Sequence, residues 1–360
     1  MKHTVSLVIA ATMLVAALAA QSGLSQATTY GAAAGWKVPR TVDGKPDLQG
    51  VWGNNSVTPM TRPAQWKNKE FLTDAEMAEL QAIVARHASD GGDAIFGDIV
   101  QLALAAKTSG KFDQNSYDPT TGNYNHFWMS EREWDNRTSL IIDPADGQLP
   151  PLTAAGRERI AAASQSAPVE GSESGPRGSA DGPEDRPLSE RCITYGVPRI
   201  RPAYNSYIQI VQAPETVAIL QEMIHDVRMV AMDGSARPPQ GVRQLNGVSR
   251  GRWEGDTLVV ETTHYANGFQ IGGGAGPVLA SSTRDVRLTE RYTRVSPDFI
   301  NWAITVEDPA TWTRPWTFMI RLKRTDAQLY EYACHEGNTS MIGILAGARA
   351  EEAKAASSRR

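Results

Sequence analysis

The second half of the chain carries short apolar runs that recur about every ten residues, with turn residues between them. Runs of this length, rich in β-branched and aromatic residues and without helical patterns between them, predict antiparallel strands joined by hairpins. About eight strands can close a barrel around one small ligand. We therefore expect a mainly β fold over 191–340, either an antiparallel up-and-down barrel or a strongly bent sheet. The runs are 207–211, 217–224, 227–232, 257–263, 286–295, 299–306, 316–322 and 329–334.

The first half of the chain alternates short helical patterns with irregular, turn-rich sequence. Residues 40–190 are therefore expected to form an arm of short helices and loops wrapped on the barrel. A capping box opens the first helix, because Thr73 is followed three residues later by Glu76. A further helix is expected to open the C-terminal segment 341–360. The predicted helices are 74–87, 95–107, 154–164 and 341–356, and two short strands are expected at 48–52 and 140–143.

The N-terminus has the pattern of an export signal. Lys2 precedes an apolar run over 5–20 that is too short to span a bilayer, and small residues follow it. This pattern predicts a signal peptide over 1–27, a disordered segment over 28–39 and a periplasmic or secreted mature protein without a membrane span. The 36 basic and 40 acidic residues are interspersed and give a net charge of -4. Nucleic acid is therefore not expected as a partner.

Cys192 and Cys334 are the only two cysteines of the chain. In an exported protein such a pair favours a disulfide over free thiols, because the compartment is oxidising. A catalytic cysteine is the alternative, and the oxidising compartment counts against it.

The sequence contains no familiar catalytic motif with the residues and the structural context that the motif requires. Gly247 to Gly251 matches G-x-S-x-G, but a strand and hairpin pattern follows it, whereas a nucleophile elbow requires a helix. The glycine-rich stretch 272–276 lacks the lysine of a phosphate-binding loop. There is no dinucleotide-binding fingerprint, so no redox cofactor is expected.

Two histidine–carboxylate pairs are the main candidates for chemistry. His225 and Asp226 follow the predicted strand 217–224, and His335 and Glu336 follow the strand 329–334. Strand alternation places His225 on an apolar face, and it places Glu222, Asp226 and Arg228 on the opposite, charged face. If the two strand ends meet, the histidines can act as acid and base, with Asp226, Glu336 or Glu222 as partners. A histidine that only packs in the core is the simpler alternative for His225.

Other polar and aromatic residues are candidates for binding. Trp128 in the irregular arm, Tyr204 and Tyr207 at a strand start, and Asn338 beside His335 are expected to contact a substrate. His126 and His264 are expected to be solvated or to pack. Three other tryptophans lie in or beside predicted strands and are expected to build the core. They are Trp302, Trp312 and Trp316.

Several longer motifs together resemble a large, uncharacterised family of exported bacterial proteins. The resemblance covers about residues 40–352 and implies, by analogy, a lipocalin-like barrel. It implies no activity, cofactor or catalytic set. The motifs are PDLQGVW at 46–52, NRTSLI at 136–141, GPEDRPLSERCI at 182–193, EMIHD at 222–226, GRWEGDTLVVET at 251–262, VEDPATWTRPW at 306–316 and YEYACHEGN at 330–338.

The sequence therefore leads to two principal hypotheses. The first is an exported enzyme, a hydrolase or lyase, that uses acid/base chemistry on a small aromatic, apolar or sugar-like substrate in the barrel. The second is a non-catalytic periplasmic protein of lipocalin-like type that binds a small molecule. A divalent metal held by two histidines and a carboxylate ranks below both hypotheses. The reason is that no single helix or strand carries these candidate ligands at the spacing of a metal site.

Overall fold

The computed structural model describes residues 30–32, 34–89, 98–112, 131–165, 180–186, 188–194, 196, 198, 200, 206–267, 270–272, 278–281 and 283–358. The predicted signal peptide, Trp128, His126 and Tyr204 lie outside the described residues. The strands are β1 Gly50–Gly53, β2 Ile141–Asp143, β3 Tyr207–Ala213, β4 Thr216–Gln221, β5 Val227–Ala231, β6 Val248–Glu254, β7 Thr257–Thr263, β8 Gln270–Gly272, β9 Val278–Ser281, β10 Arg287–Arg294, β11 Phe299–Glu307 and β12 Trp316–Thr325. The α-helices are α1 Asp74–Ser89, α2 Ile99–Ser109, α3 Ala154–Gln165 and α4 Ser340–Ser357.

Nine strands form a closed barrel, which confirms the predicted mainly β fold. Their order is β1, β3, β4, β5, β6, β7, β10, β11 and β12, and β12 pairs back with β1. Every neighbouring pair is antiparallel except β5 and β6, which run parallel. Closing an odd number of strands requires such a parallel pair, and residues 232–247 provide the crossing connection. The extra strand β2 pairs with β12 outside this ring.

The two ends of the barrel differ in their connections. At one end, which we call the hairpin end, tight turns join β3 to β4, β6 to β7 and β10 to β11. At the other end, which we call the His225 end, β1, β4, β7 and β11 finish and β3, β5, β6, β10 and β12 begin. The long connections of the chain meet there. Because binding residues concentrate on long loops held by a rigid scaffold, the His225 end is the natural place for a site.

Large side chains fill the barrel interior. Trp302, Trp312 and Trp316 are 2%, 2% and 0% exposed, which confirms that they build the core. The alternating inward positions of β11 and β12 contribute further apolar side chains, and the other strands of the ring supply the rest. Because the interior is densely packed, the barrel is a rigid scaffold. The loops at its ends are therefore anchored at fixed positions.

The helices follow the sequence prediction closely. At the start of α1, Glu76 accepts a hydrogen bond from the Thr73 backbone N–H at 2.8 Å, and the Thr73 hydroxyl accepts one from Glu76 N–H at 3.3 Å, which is the expected capping box. Helices α1 and α2 pack on a small second core around Val57, Leu72 and Leu104. The predicted arm is less separate from the barrel than expected, because β1 and β2 belong to the large sheet.

Two predicted strands end differently in the structure. The run 217–224 stops being a strand at Gln221, and Met223–His225 forms a 3-10 turn in which Ile224 has a φ of 62°. The run 329–334 is not a strand, because β12 ends at Thr325 and the following residues have no sheet partner. These residues instead return from the hairpin end toward the His225 end, where Tyr332 contacts His225.

The C-terminal segment is tied to the barrel by the disulfide. Cys192 and Cys334 are bonded, with Cα atoms 5.7 Å apart, as expected from the sequence. Helix α4 follows directly, and none of its side chains is fully buried. Among the helices of the described residues, none is long and apolar enough to cross a bilayer.

Candidate functional site

Strained backbone marks the His225 end of the barrel. In the described part of the chain, the non-glycine residues with positive φ are Cys192 at 56°, Ile224 at 62°, His225 at 44° and His264 at 61°. All four lie in connections at this end. Positive φ costs on the order of 1–3 kcal/mol in a residue with a side chain, and it is a genuine outlier for β-branched isoleucine. Strain of this kind persists where the surroundings hold it, and it is concentrated at functional sites.

His225 is held by one hydrogen bond to the C-terminal segment. Its Nδ1 lies 3.0 Å from the backbone oxygen of Tyr332, and its side chain is exposed. A carbonyl oxygen only accepts, so Nδ1 carries the proton and donates it. In the neutral ring, Nε2 is then an unprotonated acceptor. His225 is thus oriented as a base by a backbone carbonyl, whereas the sequence suggested a carboxylate partner.

The disulfide lies next to this carbonyl in the chain. Cys334 lies two residues beyond Tyr332, and its bond to Cys192 fixes the segment at the His225 end. The side chain of Asn338 adds weak contacts, donating to the Glu190 carbonyl and to Cys192 Sγ, each at 3.5 Å. The segment is therefore fastened on both sides of His335.

Asp226 and Glu222 anchor the chain around His225. The Asp226 carboxylate accepts hydrogen bonds from Thr194 Oγ1 at 2.5 Å and Asn246 Nδ2 at 2.7 Å. Glu222 is 9% exposed, and its Oε2 accepts a hydrogen bond from the backbone N–H of Tyr207 at 3.3 Å. Both carboxylates thus fix neighbouring connections, and Glu222 brings the predicted binding residue Tyr207 close to the turn that carries His225.

His335 and Glu336 are exposed in the turn that precedes α4. His335 lies three residues after Tyr332, so its Cα is at most about 11 Å from that of Tyr332 along an extended chain. This bound places the segment of His335 near His225, and the meeting of the two histidine rings stays a prediction. Trp128 and Tyr204 lie outside the described residues.

The predicted faces of the strand around His225 are reversed. His225 and Val227 are exposed, whereas Glu222 and Arg228 are buried. The physical reason is the turn at Met223–His225, because two successive residues with positive φ break the strand alternation. The alternation resumes in β5 with Arg228 pointing into the barrel.

Sequence reasoning missed a buried polar network in the barrel interior. Arg228 donates two hydrogen bonds to Glu290, at 2.5 and 2.9 Å, and the two residues are 5% and 0% exposed. Glu290 also accepts from the Tyr292 hydroxyl at 2.7 Å and from Trp302 Nε1 at 3.1 Å. The signal in the sequence was the position of Glu290 between Leu288 and Tyr292 on the inward face of β10.

The network shifts the ionisation of its members. Burial raises the pKa of Tyr292 well above 10, and the Glu290 charge adds to this effect. Burial, and then Glu290, also raise the pKa of Tyr265. For Arg228, burial opposes the charge, but the Glu290 carboxylate outweighs burial and raises its pKa. The interior thus holds one matched ion pair and neutral tyrosines.

We expect the protein to lose stability in alkali because of these tyrosines. Their pKa values are raised in the folded state, so their contribution is complete below about pH 10, the usual tyrosine pKa, and is lost as the pH rises toward the folded values. Above that pH, each such tyrosine lowers the free energy of unfolding by about 1.4 kcal/mol per pH unit. Urea unfolding from about one pH unit below to about one pH unit above the usual tyrosine pKa checks this. In the variant Tyr265→Phe, the free energy of unfolding should fall less steeply with pH, by the contribution of about one proton. An unchanged pH dependence would contradict the role of Tyr265 in this loss of stability.

Comparison with family models, curated proteins and solved structures gives no match for this chain. Within the described ranges, no group of three or more histidine, cysteine, aspartate or glutamate side chains is arranged to hold a metal ion. The closed barrel and the site at its His225 end are therefore the basis for a functional proposal. The disulfide is compatible with an exported protein.

Proposed function

We propose that this protein is an exported enzyme that performs non-redox acid/base chemistry, as a hydrolase or lyase, at the His225 end of its barrel. The observation that carries the proposal is the orientation of His225, whose Nδ1 is engaged by the Tyr332 carbonyl at 3.0 Å while the ring is exposed. Export and membership of the family that the motifs resemble are part of the same proposal.

In this proposal, His225 Nε2 is the general base. It takes a proton either from a water molecule that attacks an ester or glycosidic centre, or from a carbon next to a carbonyl group. The strained backbone at Ile224 and His225 supports this role, because a packing histidine gains nothing from a conformation that costs free energy.

His335 is the proposed general acid, which returns a proton to the leaving group. Its support is the covalent fastening of its segment next to His225. Asp226, Glu222 and Glu336 are proposed as partners that hold or tune the two rings, and Tyr207 and Asn338 as residues that border the substrate. The substrate remains of the small aromatic, apolar or sugar-like class.

Replacing the histidines tests this function. We expect His225→Gly and His335→Gln each to abolish turnover in a panel of p-nitrophenyl esters, p-nitrophenyl glycosides and uronate oligosaccharides, because each removes one proton-transfer group. General acid/base groups contribute about 10²–10⁴-fold to rates. Initial rates and urea unfolding are measured for each variant.

Glu331→Gln is the matched control, since Glu331 is exposed in the same C-terminal segment. It should retain the wild-type rate. If His225→Gly and His335→Gln both turn over at the wild-type rate, the catalytic proposal is wrong. If the wild-type protein returns every compound unchanged after binding it, the alternative of a small-molecule-binding protein is favoured.

A further inference from the structure

The Tyr332 carbonyl couples His225 to one half of the disulfide. It accepts a hydrogen bond from His225 Nδ1 at 3.0 Å and a second one from the backbone N–H of Cys334 at 2.8 Å. A carbonyl oxygen has two lone pairs, so it can accept both hydrogen bonds at once. The position of the His225 imidazole therefore depends on how the backbone at Cys334 is held.

A second path of contacts couples Asp226, the residue after His225, to the other half of the disulfide. The Asp226 carboxylate accepts a hydrogen bond from Thr194 Oγ1 at 2.5 Å, and Thr194 is 5% exposed. Thr194 lies two residues after Cys192, which is bonded to Cys334. The two paths therefore form one closed circle of bonds, which we call the contact ring. Its members are Cys192, Thr194, Asp226, His225, Tyr332 and Cys334.

The contact ring contains backbone that is held in a costly conformation. Of the four non-glycine residues with positive φ in the described ranges, Cys192 at 56° and His225 at 44° belong to the ring, and Ile224 at 62° directly precedes His225. Such conformations persist only where the surrounding structure over-determines them. Opening one link of the contact ring therefore removes a constraint that keeps His225 in place.

The disulfide is the link of the contact ring that a chemical reaction can open. Cys334 is half-buried, whereas Cys192 is only 6% exposed, so Cys334 Sγ is the more accessible sulfur. Access is one of the factors that decide which sulfur a thiolate attacks. No residue over 326–339 is fully buried, so side-chain packing holds this segment only weakly once the covalent bond is gone.

We propose that the disulfide is a redox switch that positions His225, with Thr194 as a positioning residue on the opposite side of the contact ring. A dithiol opens the switch. One of its thiolates attacks Cys334 Sγ, forms a mixed disulfide and releases Cys192 as a thiolate, which takes up a proton. The second thiol of the reductant then displaces Cys334, which is protonated in turn. Two electrons thus pass from the dithiol, which ends as a disulfide, to the two cysteines.

The state of the switch sets the tautomer of His225. In the oxidised protein, the contact ring holds the proton on Nδ1 and leaves Nε2 unprotonated. Reduction releases the Tyr332 carbonyl with its segment, and the imidazole returns to the tautomer mixture of a solvated side chain, in which Nε2–H dominates. This inference rests on the proposed function only for its effect on turnover, because a base at Nε2 is present only in the oxidised form. An exported chain then becomes active once it reaches an oxidising compartment.

NMR of nitrogen-labelled histidine side chains tests the switch on the full-length mature protein. Spectra are recorded about two pH units above the usual histidine pKa of about 6.5, where the imidazole is neutral. They are taken before and after treatment with dithiothreitol and again after reoxidation, and the His225 signal is assigned by its loss in His225→Gly. We expect the ratio of the Nδ1–H to the Nε2–H tautomer to fall about 2- to 12-fold on reduction, the effect of one neutral hydrogen bond, and to recover on reoxidation.

Threonine variants test the contact ring without breaking the disulfide. Thr194→Val removes the hydroxyl that donates to Asp226, while Asn246 Nδ2 still donates to the same carboxylate at 2.7 Å. It should lower the tautomer ratio of the oxidised protein, and Thr194→Ser should restore the ratio. Thr311→Val is the matched control, because it removes a buried hydroxyl that donates to Asp308 at 2.7 Å outside the contact ring. It should leave the ratio unchanged.

Three results would overturn the switch. Dithiothreitol does not reduce the disulfide of the folded protein, or the reduced protein keeps the wild-type tautomer ratio, or near-UV circular dichroism shows that reduction unfolds the core. In the last case the bond is structural throughout the molecule, and Thr194→Val still tests the contact ring because its disulfide is intact. The contact ring is overturned if Thr194→Val changes the ratio no more than Thr311→Val does.

Turnover measurements separate this inference from the proposed function. Reduction should lower the turnover of any active substrate about 10²-fold, the cost of a misplaced catalytic group, and unchanged turnover would overturn the control of catalysis by the disulfide. If no compound is turned over, the proposed function fails, whereas a tautomer ratio that follows the disulfide still supports the switch. If turnover depends on His225 but the tautomer ratio ignores the disulfide, the proposed function stands and the switch is wrong.

Discussion

Replacing Glu290 with glutamine is expected to lower the free energy of unfolding by about 3–5 kcal/mol, because it leaves the Arg228 charge buried without a counter-charge. Glu290 is 0% exposed and accepts hydrogen bonds from three side chains, so no water can take its place without rearranging the core. Urea unfolding of the variant and the wild type at neutral pH measures the effect.

A second ion pair of the same strand provides the control. Arg291 and Glu254 are 2.9 Å apart but 43% and 38% exposed, so Glu254→Gln should have little effect on the free energy of unfolding. The double variant Arg228→Met with Glu290→Leu should be more stable than either single change, since it leaves no unpaired charge. A cost for Glu290→Gln as small as that for Glu254→Gln would show that the interior pair is accessible to water.

Removing the disulfide is expected to be the other large change. The bond joins residues 142 positions apart, and closing a loop of about 100 residues or more stabilises by roughly 5 kcal/mol in the chain-entropy model. We therefore expect Cys192→Ser with Cys334→Ser to lower the free energy of unfolding by about 4–5 kcal/mol. The same variant should free the segment that carries Tyr332, so limited proteolysis should cut between 326 and 340.

Asn338→Ala is the control for the disulfide. Asn338 touches Cys192 Sγ at 3.5 Å without a covalent bond, so its loss should cost less than about 1 kcal/mol. If the double serine variant is as stable as Asn338→Ala and resists proteolysis equally, the disulfide does not fasten the segment over His225.

The barrel could be predicted from the sequence where its strands are regular. The pattern over 286–295 and 299–306 matches β10 and β11 within one or two residues, because each has one face in the core and one in solvent. Helices α1, α3 and α4 were also predicted within about two residues, a typical uncertainty for helix ends. In these elements local pattern and tertiary environment agree.

The site could not be predicted in the same way, because it depends on departures from regular patterns. The alternation over 217–224 continues to His225 only if the chain stays extended, and nothing in the residue type of Ile224 signals a positive φ. The burial of Arg228 depends on Glu290, 62 positions away, and this pairing exists only once the barrel closes. Similarly, the alternation over 329–334 predicted a strand, but the nine-strand ring is already complete without it.

The most direct test of the central claim is chemical rescue of His225→Gly by free imidazole. Glycine tolerates the φ of 44° at this position, so the relief of strain offsets the lost hydrogen bond to Tyr332 and the fold should be retained. We predict that turnover of the best ester, glycoside or uronate substrate disappears in the variant and returns in proportion to added imidazole, with an unchanged unfolding midpoint. Wild-type turnover in the variant without imidazole would contradict the claim that His225 is the catalytic base.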